Sequence, residues 1–203
     1  MPRRPAAPAA EPAAKPRRRP AARRPSPRPG GSGRGRGARP PEPVLDRFLR
    51  YARIDTQSAE DVAAVPSTRK QLDLARLLAR ELKALGVPRV SLDAHGYVMA
   101  AIPANLPKGH PAHGKVPRVG LVAHLDTSPS APGAGVKPQV ITYRGGDLVL
   151  PGDRSVVIRA SESPALAAEV GRTIVTSDGT TLLGADDKAG VAAIMALAEE
   201  LLR

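Results

Sequence analysis

Residues 1–42 of this 203-residue chain contain no aromatic side chain and, apart from Met1, no apolar side chain larger than alanine. Such a segment cannot bury enough apolar surface to offset the entropy of ordering it. It reads as Pro/Ala/Arg repeats followed by a Gly/Arg stretch from Gly30 to Gly37. A disordered N-terminal tail over 1–42 is therefore expected, and only residues 43–203 are left to build a fold.

The tail also explains the charge. The whole chain has a formal net charge of +12, but residues 1–42 hold 12 Lys and Arg against 2 acidic residues. The remainder holds 19 basic and 17 acidic residues and is close to neutral. Any electrostatic affinity for nucleic acid therefore belongs to the tail alone. Arg–Gly segments can bind RNA, but this one lacks the aromatic residues on which bases stack. A solubilising tail, or translation from a start codon placed too far upstream, are the plainer readings. Eleven prolines in these 42 residues exclude the amphipathic helix of a transit peptide. No apolar run approaches the ~20 residues of a membrane span, and no apolar stretch follows Arg3 and Arg4 to make a secretory signal. The chain has no cysteine, which fits a reducing, cytoplasmic location. A bound metal would need His and carboxylate ligands.

Beyond the tail, apolar spacing alternates between helix and strand periods. Leu45, Phe48, Leu49 and Ala52 mark one face of a first helix. Ser67 is a candidate N-cap for a second, with Leu74, Leu77, Leu78, Leu82 and Leu85 as its buried stripe and Gly86 as its stop. Strands are expected at Arg89–Leu92 and Tyr97–Ile102, joined by a turn at His95-Gly96. Val119–Ala123 reads as a strand buried on both faces. Minor strands are expected at Val140–Tyr143, Val156–Ile158 and Thr173–Thr176, and a short helix at Pro164–Val170. Lys188–Arg203 reads as an amphipathic helix with Val191, Ile194, Met195, Ala198 and Leu202 inward. The alternation implies an α/β class with a mixed sheet flanked by helices. No strand follows the last helix, so the expectation is an incomplete domain.

Two clusters carry chemistry. His124 and Asp126 end the expected strand 119–123 and, two residues apart, project to one side. A neutral imidazole ligates zinc, and a neighbouring carboxylate can hold its other N–H. A histidine merely ending a strand is the bland alternative. Gly184-Ala185-Asp186-Asp187-Lys188-Ala189-Gly190 places two carboxylates at a helix start. Asp187 as a helix cap with Asp186 beside it is one reading. Asp186 bridging two metal ions is the other, since a carboxylate has two ligating oxygens. Glu199-Glu200 lies within a helix and reads as a solvated face, and His95, His110 and His113 read as surface histidines.

In order, the strings Ile54-Asp55-Thr56-Gln57-Ser58, Val65-Pro66-Ser67-Thr68, His124-Leu125-Asp126-Thr127-Ser128-Pro129, Tyr143-Arg144-Gly145-Gly146-Asp147 and Asp178–Gly190 resemble peptidase T, a tripeptide aminopeptidase family of the two-zinc metallo-exopeptidase clan. The resemblance spans about residues 44–203. It implies a zinc-exopeptidase-like catalytic domain that uses two Zn2+ ions to hydrolyse short peptides. It implies that His124 ligates one zinc, that Asp186 bridges both, and that Asp126 orients His124 at the catalytic centre without binding metal. It also implies a cis Asp186–Asp187 bond and a substrate-side loop at Tyr143–Asp147. The family's Glu-Glu pair, later Asp and His ligands, and lid and dimerisation domain are not found in this sequence. The chain alone is therefore expected to bind metal weakly and not to catalyse. A homodimer is a property the resemblance would give the full-length protein. Another dinuclear exopeptidase or deacylase of the clan, or a non-catalytic remnant with an RNA-binding tail, remain as alternatives. Cobalt or manganese could replace zinc in such a site.

Overall fold

A computed structural model describes residues 40–203. The expected tail lies outside them except for residues 40–42. Among the described residues, three helices and six strands form in the order α1 (Val44–Ala52), α2 (Gln71–Ala84), β1 (Arg89–Leu92), β2 (Val98–Ala101), β3 (Gln139–Thr142), β4 (Leu148–Val149), β5 (Val157–Ile158), β6 (Thr173–Thr176) and α3 (Ala185–Leu201). A 3-10 helix covers Pro164–Glu169.

The core is helical and sits where α1, α2 and α3 meet. Phe48, Tyr51 and Ala52 from α1 join Leu74, Leu78 and Leu82 from α2 and Val191, Ala192, Met195 and Ala198 from α3. The i, i+4, i+8 spacing of the α2 leucines follows from 3.6 residues per turn, which brings them onto one face. Gly86, at φ +89°, ends α2: its N–H donates to Lys83 O, while Val87 N–H donates to Leu82 O. That pair of bonds satisfies carbonyls the helix would otherwise leave open, and Val87 is buried beside them.

The helix–helix seam is also ionic. Arg47, only 3% exposed, donates to Glu199 of α3 and lies 3.5 Å from both Glu42 and Glu81. The Tyr51 hydroxyl donates to Glu81. Burial, reinforced by Glu81, pushes the Tyr51 phenol above its usual pKa. Glu199 is therefore not the solvated residue expected from the sequence: it is 16% exposed and faces Arg47, whereas Glu200 is exposed. Helical periodicity places Glu199 near the inward face, but nothing local reveals a cation waiting on another helix.

The strands form three separate antiparallel pairs, β1–β2, β3–β6 and β4–β5. The α/β class holds, with these pairs where a mixed sheet was expected. β1 and β2 pair from Arg89↔Ala101 to Leu92↔Val98 across a turn in which Asp93 Oδ1 accepts from His95 N–H and Tyr97 N–H. β3 and β6 pair from Gln139↔Thr176 to Thr142↔Thr173.

Two further expectations are corrected. Val119–Ala123 forms no strand, and Val119, Leu121 and Val122 are exposed, Val122 by 94%. Apolar composition favours a buried strand, but a strand exists only where a neighbour completes its hydrogen bonds, and no described segment pairs with this one. Ser67 does not cap α2, which starts four residues later at Gln71. The Ser67 hydroxyl instead accepts from Ala59 N–H and Gln71 Nε2.

Candidate metal centre

His124 and Asp126 lie on an irregular segment that continues from residues 119–123 and is anchored immediately afterwards. Thr127 is buried, its N–H donates to Thr56 O, and its carbonyl accepts from Ser58 N–H. These bonds make a short parallel bridge between Gln57 and Thr127. The Asp55-Thr56-Gln57-Ser58 string therefore works as backbone support for the segment carrying His124.

The opposing limb is the entry to α3. Gly184 sits at φ +72°, and a Cβ there would lie 3.0 Å from Thr127 Cγ2. Only a residue without a side chain lets the helix entry close on Thr127 in that conformation. Asp186 and Asp187 depart from helical dihedrals, and the peptide bond between them is cis. The Asp187 carboxylate accepts from Gly190 N–H at 3.1 Å, capping the regular part of α3. Asp186, with a side chain 95% exposed, has no capping role and points away from the helix.

The two limbs meet. His124 Nε2 lies 3.0 Å from Asp186 Oδ1. On the other side of the ring, Nδ1 lies 3.0 Å from Asp126 O and 3.2 Å from Asp126 Oδ1. Both ring nitrogens thus face acceptors. A neutral imidazole has one N–H, which can serve Asp126, and then Nε2 would turn a lone pair on the Asp186 carboxylate. The arrangement calls for positive charge between Nε2 and Oδ1, either a proton or a cation. Partial burial works against protonation of His124, but the hydrogen bond to Asp186 and the Asp126 charge outweigh it and raise the pKa above 6.5.

The donor chemistry fits one edge of a metal site. Zinc ligand atoms sit about 2.0–2.2 Å from the ion, so two of them at the tetrahedral angle lie about 3.4 Å apart. The nitrogen and oxygen of His124 and Asp186 are already near that separation. The described residues contain no cluster of three or more His, Asp or Glu side chains able to hold an ion. His95, His110 and His113 are exposed, and His113 Nδ1 lies 2.9 Å from Leu106 O. The Tyr143–Asp147 loop is held by the buried Tyr143 hydroxyl donating to Gly146 O at 2.7 Å, by backbone bonds between Tyr143 and residues 171–172, and by Ala160 N–H donating to Asp147.

Lys188 has a place that helical periodicity does not reveal. It is 1% exposed, and its ammonium donates to Ile54 O at 2.6 Å. Burial lowers its pKa to about 8, with Asp55 acting in the opposite direction. Asp55 accepts from Gln57 N–H and Lys70, and its pKa is lowered because these bonds outweigh its partial burial. The sequence signal for this cluster was present in the Ile54–Ser58 string, to which periodicity assigns no element.

No family model matches the chain. Among curated proteins it is 47% identical over 163 residues to peptidase T of Geobacillus thermodenitrificans, covering 80% of this chain and 38% of that protein. It is 48% identical over 161 residues to peptidase T of Brevibacillus brevis, covering 79% and 38%. It is 48% identical over 153 residues to peptidase T of Parabacteroides distasonis, covering 75% and 36%. A solved tripeptidase from Staphylococcus aureus aligns over 76% of this chain and 30% of its own, at 24% identity and a TM-score of 0.45. The chain thus spans under two fifths of the length of the curated relatives it matches. Over four fifths of its length, this chain matches a partial region of peptidase T.

Proposed function

We propose that His124 and Asp186 hold a zinc ion in common, and that the site they belong to removes the N-terminal residue from tripeptides in the cytoplasm. The observation supporting this most strongly is the convergence of the two side chains at 3.0 Å from positions 62 residues apart, within a peptidase T-like sequence. A bound zinc pair would supply polarisation of the scissile carbonyl and activation of water. The residues of this chain orient and hold. Asp126 accepts the Nδ1 proton of His124 and so leaves Nε2 free to ligate. Asp186 contributes a carboxylate with both oxygens accessible from solvent. Asp187, spent on Gly190, keeps α3 capped while its neighbour faces the site.

Two ligands do not make a tight catalytic zinc site, which needs three from protein. Hydrolysis also needs a general base that His124, Asp126 and Asp186 do not supply in these roles. The activity is therefore assigned to a protein containing more of the peptidase T sequence than this chain does. It is tested by joining residues 43–203 to the unmatched remainder of the Geobacillus thermodenitrificans relative and assaying trialanine cleavage with added zinc. The expected result is release of free alanine that is abolished by His124→Ala and by chelation, with no detectable cleavage by the 203-residue chain alone. A folded, zinc-loaded chimera that leaves trialanine intact would refute the proposal.

A further inference from the structure

The two limbs of the site are fastened to the same five residues. Residues 54–58 hold the His124 limb through Thr127 N–H to Thr56 O at 3.1 Å and Ser58 N–H to Thr127 O at 2.9 Å. They hold the Asp186 limb through the ammonium of Lys188, which crosses 134 residues of sequence to reach Ile54 O at 2.6 Å. Asp55, next to that carbonyl, adds a countercharge and is itself held by Lys70 at 3.0 Å. Gly184 packs against both limbs, since a Cβ there would approach Thr127 Cγ2 and, at 3.5 Å, Lys188 Nζ.

We propose that Lys188 is a positioning residue that holds Asp186 opposite His124 by pinning the start of α3 to residues 54–58. The inference rests on reading His124 and Asp186 as ligands of one ion. A buried ammonium is a poor choice for stability alone. Methionine fills a similar volume without giving up the hydration of a charge, and apolar replacements of buried ions are often neutral or stabilising. What methionine lacks is a directed bond. Lys188 is two residues from Asp186, and the intervening backbone is not regular helix, so rigid helical geometry does not set the direction of the Asp186 side chain. A fixed point immediately after that irregular stretch does. Thr127, one residue after Asp126, is the matching fixed point on the other limb.

The test compares the 203-residue chain with its Lys188→Met variant by hydrogen exchange and by zinc titration. If Lys188→Met does not fold, Lys188→Gln serves for the same comparison. The expected result is exchange at least tenfold faster for backbone amides of residues 185–190, with amides of Thr127, Ser58 and α2 unchanged. Zinc affinity should fall at least tenfold at an unchanged thermal midpoint. A merely structural lysine would raise exchange across all three helices and lower the midpoint, and that result overturns the proposal. Unchanged exchange at 185–190, or local loosening with unaltered zinc affinity, overturns it as well. If the unmutated chain binds no zinc, the reading of the metal site fails on its own, and the exchange comparison still decides whether Lys188 anchors the α3 entry.

Discussion

Burying the Lys188 ammonium should leave a signature in the dependence of stability on pH. Burial holds its pKa at about 8 in the folded chain, against 10.5 when exposed. Below pH 8 the group is protonated whether the chain is folded or not, so it contributes no slope. Between pH 8 and 10.5 the unfolded chain keeps the proton and the folded chain has lost it, so stability rises with pH. Above 10.5 the gain is complete, and it is lost again as pH falls through 8. At about 1.4 kcal/mol per pH unit, the gap between the two values corresponds to roughly 3 kcal/mol. The measurement is urea unfolding followed by circular dichroism from pH 7 to 11 for the unmutated chain and Lys188→Met. Groups other than Lys188 that titrate in this window do so in both proteins and cancel in the difference. That difference should move in favour of the lysine protein by about 3 kcal/mol across the window. A flat difference would show that the ammonium is hydrated in the folded chain and that its enclosure beneath Gly184 is wrong.

Three further outcomes follow from the same geometry. Glu199→Gln removes the closest countercharge of the buried Arg47; since Glu42 and Glu81 remain at 3.5 Å, unfolding free energy should drop by about 3 kcal/mol, at the low end for breaking a buried pair. Gly190→Ala would drive a methyl group into the Asp187 carboxylate and cost the α3 cap about 1–2 kcal/mol, seen as a lower thermal midpoint. His124 has a raised pKa, so its contacts with Asp186 and Asp126 stabilise the metal-free fold fully below pH 6.5 and lose that contribution as pH rises through the folded value. Zinc must displace this proton, so calorimetric zinc affinity should increase with pH above 6.5 and then level off.

Much of this was legible in the sequence where one local rule decides the outcome. The Gly86 stop and the β1–β2 turn depend on a residue that tolerates positive φ and form as read, while of the α2 stripe Leu74, Leu78 and Leu82 are buried and Leu77 and Leu85 partly so. His124 and Asp126 lie side by side although the strand expected at 119–123 does not form, and the Gln57–Thr127 bridge anchors the residue that follows them. What spacing could not show are pairings across the fold. Glu199 is indistinguishable from a solvated helical glutamate until Arg47 is placed beside it, and Lys188 resembles any first-turn lysine until Ile54 O is found at its end. Ser67 failed as a cap because Ala59 N–H and Gln71 claimed its hydroxyl, a competition that only the tertiary arrangement sets up.

The most direct test of a cation shared by His124 and Asp186 is a double-mutant cycle on zinc binding. Isothermal titrations of the 203-residue chain, His124→Ala, Asp186→Asn and the double variant would be compared at pH 8. Two ligands of one ion should give losses that overlap, with the double variant no weaker than the weaker single variant. Losses that add independently, or zinc binding that persists when either side chain is removed, would contradict a shared ion.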